Sequence, residues 1–313
     1  MSISHIPVLK EQCVQNLDIK DGGVYVDCTA GRGGHIQAML NTGKKIFVIG
    51  IDKDAENVKY LEELFDGYSK HGSTVKIIHS DYKSLPDILS FYDLKSCDGI
   101  LFDLGFSSIH IDDPSRGFSF SKDGPLDMRY DLEQQLKAED VVNDLSVSEL
   151  MKILKEYGEE NSFKRIALEI EKYRIEKRIK TTTELKNIIY KVLGQKRYGM
   201  TVDPATKTFQ AIRIYVNDEL GSLRQGLDHA VSLLNSGGRL CAISFHSLED
   251  RMVKQCIKEG INPCVCPRGL AKCLCGRSPY LKLVVKNFIT PDKEEMDSNP
   301  RARSAKLRVA QKI

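Results

Sequence analysis

The segment Asp27-Cys-Thr-Ala-Gly31-Arg-Gly33-Gly34-His35 follows the apolar run Val24–Cys28, and this juxtaposition constrains the fold more than any other stretch. A short apolar run ending in glycines reads as a buried parallel strand entering a tight turn. Glycines there let the backbone approach a ligand closely and take dihedrals closed to other residues. A second apolar run, Ile46–Ile51, ends at Asp52, roughly 20 residues on, where a carboxylate can accept both hydroxyls of an adenosine ribose. A glycine-rich turn alone is often only a tight connection. Paired with Asp52 it has the shared logic of nucleotide and S-adenosylmethionine sites. A dinucleotide is the weaker reading, because the third glycine of G-x-G-x-x-G would fall at Ile36 and leave no close packing for a pyrophosphate.

The alternation continues with a helix over 55–65 and strands over Val75–Ile78 and Gly99–Phe102, which predicts a parallel sheet with helices on both faces. Asp103 ends the fourth strand beside the same crevice, unless it is only a helix cap or turn residue. From Ile111 to about Thr208 the strands give way to turns and charged helical stretches: one begins near Val147, another covers Phe163–Ile179, and a third starts at Thr181–Thr183. This predicts a helical subdomain, 112–208, inserted into an α/β domain made of 1–111 and 209–313. A helix over Phe209–Leu234, a buried strand over Gly238–Phe245, and a final hairpin from Leu281–Phe288 and Ala305–Ala310 complete the expectation.

Composition excludes several classes. Hydrophobic residues make up 41% and charged residues 28% of 313, as in a globular chain. No apolar run approaches the ~20 residues of a membrane span, and the start MSISHIPVLKEQC has neither the basic end nor the apolar core of a secretory signal. No membrane partner and a cytoplasmic location are the expectations. Nine cysteines in a chain of this size read as reduced thiols rather than a disulfide framework. A net charge of +3 decides nothing about a nucleic-acid partner; its distribution says more.

Past the fourth strand the sequence stops being generic. Asp98-Gly-Ile-Leu-Phe-Asp103-Leu-Gly-Phe-Ser-Ser108 leads into Asp112-Asp-Pro-Ser-Arg116-Gly-Phe-Ser-Phe120 and Asp123-Gly-Pro-Leu-Asp127-Met-Arg129. His5-Ile-Pro-Val-Leu9 precedes them; Pro204-Ala-Thr-Lys-Thr-Phe-Gln-Ala-Ile-Arg213, Asn217-Asp-Glu-Leu220, Ile243-Ser-Phe-His-Ser-Leu-Glu-Asp-Arg251 and Asn299-Pro-Arg-Ala-Arg-Ser-Ala-Lys-Leu307 follow. Together these strongly resemble the bacterial 16S ribosomal RNA cytosine-N4 methyltransferase family, in the family's order and over nearly the whole chain.

The resemblance implies a class I methyltransferase, a doubly wound, mostly parallel α/β sheet with an inserted helical subdomain. It implies S-adenosyl-L-methionine as cofactor, held at Gly33, Gly34, His35, Asp52, Tyr82, Asp103 and His110. It also implies the N4 amine of a cytidine in the decoding region of small-subunit ribosomal RNA as acceptor, in an assembled or nearly assembled 30S subunit. Oligomeric state stays open, a homodimer included. Three positions depart from the family pattern: Tyr82 stands where phenylalanine is common, His110 where glutamine is common, and Asp203 where histidine is common. Tyr82 keeps the flat ring an adenine stacks on, and His110 can still donate a hydrogen bond.

The N4 amine is a poor nucleophile, so acceleration is expected from positioning and electrostatics. Asp103 is the catalytic candidate: it and the carbonyls after it would orient the amine, with Phe106 near the base plane. Asp127 and Arg129 would bind the flipped nucleotide or pair with each other; His246 would be a base, a substrate contact or a structural histidine. The stretch 164–180 carries seven basic and three acidic residues in a helical pattern, and Arg301, Arg303, Lys306 and Arg308 form a second basic cluster. Either would track phosphates or be a solvated face. Cys264-x-Cys266 and Cys273-x-Cys275 would form a structural zinc knuckle or a metal-free loop, C-x-C being tighter than the usual C-x₂₋₄-C. No catalytic metal is expected, because methyl transfer needs no activated water. Two other readings compete with the enzyme: a non-catalytic RNA-binding or ribosome-assembly factor, and a methyltransferase acting on DNA or protein.

Overall fold

The computed structural model describes residues 7–196, 202–267 and 273–313, so His5 and Ile6 of the first motif lie outside the described residues. The chain divides into two compact units, one made of Met1–Gly105 with Gly221–Ile313, the other of Phe106–Leu220.

The first unit is built on seven strands: β1 Val24–Asp27, β2 Phe47–Asp52, β3 Thr74–His79, β4 Cys97–Asp103, β5 Leu234–Ser244, β6 Leu281–Leu283 and β7 Lys306–Lys312. Their order across the sheet is β3-β2-β1-β4-β5-β7-β6. The first five run parallel, while β7 lies antiparallel between β5 and β6. Both faces of the central strands are buried, as parallel strands with crossover helices require. Tyr25, Leu101, Cys241 and Ile243 join one apolar cluster, and Val26, Ile100, Phe102, Leu240 and Ala242 join another. Successive residues alternate between the two because side chains in a strand point to opposite faces. A full truncation such as Phe102→Ala would cost about 3–5 kcal/mol.

The chain goes from β1 outward to β2 and β3, then returns to the other side of β1 as β4. The order therefore reverses between β1 and β4, and in open α/β sheets ligands bind outside the carboxyl ends of the strands at such a point.

Two expectations are corrected. The single helix over Phe209–Leu234 is two, Thr206–Asn217 and Glu219–Leu233, broken at Asp218, whose φ of 49° is left-handed. The strand over Leu281–Phe288 shortens to Leu281–Leu283, beyond which the Val284 amide still donates to the Val309 carbonyl and Ile289 makes an isolated bridge to Leu307.

The second unit is helical, with helices Ala138–Asp144, Val147–Glu156, Phe163–Glu176, Thr182–Leu193 and Thr206–Asn217. They enclose a core that includes Leu150, Leu154, Ile166, Ile170, Leu185, Ile189 and Ile212. Local chemistry starts two of them. Ser146 with Glu149, and Thr181 with Glu184, form reciprocal capping boxes that satisfy amides left unpaired at a helix start.

Candidate active site

The loop after β1 turns on glycines in left-handed conformations, Gly31 at φ 53° and Gly33 at φ 78°. Gly33 caps helix Gly34–Leu40. A Cβ there would lie 2.7 Å from Leu61 Cδ2, so both dihedral and space demand glycine. The helix starts with Gly34, and the next residue, His35, is buried.

Asp52 ends β2 with its carboxylate held across the glycine loop: Oδ2 accepts from the Gly31 amide at 2.7 Å, and Oδ1 from the Asp54 amide at 2.9 Å. Asp103 ends β4. Its amide donates to Thr29 Oγ1 at 2.7 Å, tying the ends of β1 and β4 together at the switch point. His35 Nε2 lies 3.3 Å from Asp103 Oδ2, off the line of a well-formed hydrogen bond. Tyr82 sits in the short 3₁₀ turn after β3, capped by Asp81, with its ring edge-on to Phe102 at 5.4 Å. Asp81 is fixed by Ser222 and Lys53. Six of the seven cofactor residues inferred from the sequence thus stand at or just after the carboxyl ends of β1 to β4.

The electrostatics are unusual at two of these groups. Burial pushes the Asp27 carboxyl up to about 6, against the opposing pull of His35 and the Thr29 amide. Burial would drive His35 down, but the close carboxylate of Asp103, then the charge of Asp27, outweigh it and raise its pKa. Among the described residues, Asp27 Oδ2 and Asp103 Oδ1 are buried without a hydrogen-bond partner. Orphaned carboxylate oxygens at a strand switch point fit a ligand that brings positive charge and donors, which S-adenosylmethionine does with its ammonium and sulfonium. Asp27 as an acceptor and Thr29 as the tie to Asp103 are absent from the sequence-derived site. Their burial could not be read locally, although both stand inside the glycine motif.

The seventh residue, His110, belongs to the second unit, in helix Ser108–Asp112. Its ring stacks on Phe118 at 4.9 Å and tilts against Tyr130 at 5.2 Å, and Phe118 and Tyr130 stack on each other at 5.2 Å. Arg116 braces this stack by donating to the carbonyls of Arg129 and Tyr130. Phe118 and Tyr130 were missed, aromatics spaced along an irregular loop carrying no periodic signal. Phe106, 39% exposed, lies under the Arg213 guanidinium at 4.5 Å, and that guanidinium is held by both oxygens of Glu219.

The remaining candidates take these positions. Arg129 grips both oxygens of Asp127 at 2.8 Å and donates to the carbonyls of Leu132 and Gln134, so the two residues pair with each other. His246 caps helix Ser247–Ile261 in a box with Glu249. Asp203 accepts from the Tyr190 hydroxyl at 2.7 Å and the Ala205 amide at 2.8 Å, which accounts for an aspartate ahead of helix Thr206–Asn217. Three of the seven basic residues in the stretch 164–180 are committed to acidic partners. Arg178 pairs with Glu139, Asp140 and Asp144, Lys177 with Glu184, and Arg174 with Glu171. In the C-terminal cluster Arg308 is held by Asp250.

The strand order, the antiparallel β7, the glycine turn and the acidic ends of β2 and β4 define a class I S-adenosylmethionine-dependent methyltransferase. The chain belongs to the MraW methylase family, whose model matches residues 2–313. It is 46% identical over 310 residues to the ribosomal RNA small subunit methyltransferase H of Caldicellulosiruptor saccharolyticus, covering 99% of each chain. The proteins of the same name from Clostridioides difficile and Clostridium botulinum (strain Kyoto) are 44% and 46% identical, with full coverage of both chains in each case.

Proposed function

We propose that this enzyme methylates the exocyclic N4 amine of a cytidine in small-subunit ribosomal RNA, in the cytoplasm, on an assembled or nearly assembled 30S subunit. The observation that carries the reading is the end of β4, where Asp103 is followed by Gly105 at φ 98° and Asp103 Oδ1 is buried without a partner. A polar acceptor at this strand end is what an amine with N–H groups to orient requires. The relatives' name supports the acceptor class.

Gly33, Gly34, His35, Asp52, Tyr82, Asp103 and His110 would hold the cofactor: Asp52 takes the ribose hydroxyls, Tyr82 offers a ring to the adenine, and Asp103 faces the reacting end. Bound S-adenosylmethionine supplies an electrophilic methyl group. Asp103 accepts a hydrogen bond from N4 and holds the amine in line, so that its lone pair turns out of conjugation with the ring. Transfer would form the N4–C bond as the methyl–sulfur bond broke; the Asp103 carboxylate would take up the N4 proton and pass it to solvent, while the carbonyls after it accept hydrogen bonds that orient the amine. His35 positions Asp103 from behind. Residues 112–208 serve as the substrate-recognition insert to the cofactor domain of 1–111 and 209–313.

Labelled methyl transfer to 30S subunits, free ribosomal RNA, DNA and protein tests this. Label in 30S RNA that digests to N4-methylcytidine is expected. Label confined to DNA or protein, or none in any acceptor, overturns it.

A further inference from the structure

Between helix Ser247–Ile261 and β6 lies a segment, described at 262–267 and 273–280, whose ends are joined by the Tyr280 amide donating to the Gly260 carbonyl at 2.9 Å. Inside it, Cys264, Cys266, Cys273 and Cys275 bring all four Sγ atoms within 4.8 Å of one another. Cys273 Sγ lies 3.6 Å from Cys264, 3.9 Å from Cys266 and 3.4 Å from Cys275. A zinc ion with four Zn–S bonds of about 2.3 Å spaces its sulfurs about 3.8 Å apart at the corners of a tetrahedron. The observed separations bracket that value, and none of the nine cysteines is bonded to another.

Backbone N–H groups turn toward the sulfurs. The Leu274 amide donates to Cys266 Sγ at 3.3 Å. The amides of Val265 and Arg277 face Cys275 Sγ, and the Cys266 amide faces Cys264 Sγ. N–H groups turned onto thiolates are what two facing knuckle turns provide, and they spread the charge of a four-thiolate cage.

Among the described residues no apolar burial explains the convergence. Cys264 and Cys273 are exposed, and the residues between the paired cysteines, Val265 and Leu274, are 63% and 77% exposed. Ordering the paired cysteines costs backbone entropy, which a bound metal would offset. The other five thiols, at Cys13, Cys28, Cys97, Cys241 and Cys256, are buried and dispersed through the fold.

We propose that Cys264, Cys266, Cys273 and Cys275 bind one Zn²⁺ as four thiolate ligands, a structural site that ties 264–266 to 273–275. Four protein ligands leave no open position, so the metal takes no part in methyl transfer.

The test uses the full chain, produced in zinc-containing medium and purified under reducing conditions without chelator. Elemental analysis is expected to find about one zinc per chain, and the Cys266→Ser/Cys275→Ser variant below about a tenth of that. Cobalt exchanged into the wild type should show the visible bands of a tetrahedral thiolate site, absent in the variant. Circular dichroism and donor-binding heat check that the variant keeps the rest of its fold. Because metal content is read independently of turnover, failure here is distinct from failure of the proposed activity. Wild-type protein without zinc, with iron in its place, or with a mass lowered by disulfide formation overturns the proposal, as does a folded variant that retains the metal.

Discussion

His35 Nε2 and Asp103 Oδ2 stand 3.3 Å apart, one from the helix after β1 and the other from the end of β4. The contact spans the point where the strand order reverses. It joins the glycine motif to the residue proposed to meet the substrate amine, so the methyl-donor and acceptor sides of the reaction share one electrostatic pair.

Replacing Asp103 by alanine removes both the acceptor and the partner of His35. Methyl transfer is expected to fall by on the order of 10²-fold or more, the usual cost of one positioned group acting on the transition state. Asp103→Asn keeps the shape but removes the charge that raises His35. NMR titration of that variant should place the His35 pKa below the wild-type value. Wild-type turnover in Asp103→Ala would reject the catalytic assignment.

Asp27 makes stability depend on pH in a definite direction. Its folded pKa of about 6 lies above the ordinary carboxylate value because it is buried. The native state therefore holds the proton more tightly. This contribution is complete below about pH 4 and is lost as pH rises through about 6, a swing of about 3 kcal/mol at most. His35 adds to the same trend, its raised pKa contributing below about 6.5 and fading above. Denaturant titrations should show Asp27→Asn gaining on the wild type between pH 4 and 6; a constant gap would contradict the burial effect.

Gly226 sits where a Cβ would come within 2.6 Å of Tyr82 Cδ2. Gly226→Ala should therefore push the ring and weaken donor binding several-fold, roughly 1 kcal/mol by analogy with overpacking elsewhere. In a Tyr82→Ala background the same substitution should cost little, because the clashing ring is gone. Additive losses, measured by calorimetry, would show that Gly226 does not act through Tyr82.

Arg178 looks like a phosphate ligand in sequence but is committed to Glu139, Asp140 and Asp144. It is 40% exposed, so Arg178→Ala is expected to cost under about 1 kcal/mol and to leave the salt dependence of RNA binding unchanged. Arg303, exposed near the C-terminus, is the contrasting substitution: losing a phosphate contact would lower the slope of log K against log salt by about 0.7–0.9. A drop of that size for Arg178→Ala would mean that the acidic trio releases it to RNA.

The sequence by itself determined the succession of the seven strands and the place of the glycine turn. Continuous apolar runs, a glycine-rich turn and an acidic strand end are written in neighbouring residues. Capping at Ser146 and Thr181 is equally local, since each box spans four residues, 146–149 and 181–184. Family motifs carried the cofactor and the seven residues inferred to hold it. Only the tertiary structure decided which charges are available and which are spent, because ion pairs such as Arg178 with Glu139 join residues 39 apart. The same holds for the orphaned oxygens of Asp27 and Asp103, whose burial depends on the packing of separate strands. It holds too for the four sulfurs, since two Cys-x-Cys pairs in sequence do not reveal whether they face each other. Contacts distant along the chain follow from how the sheet and helices pack, and no local pattern encodes them.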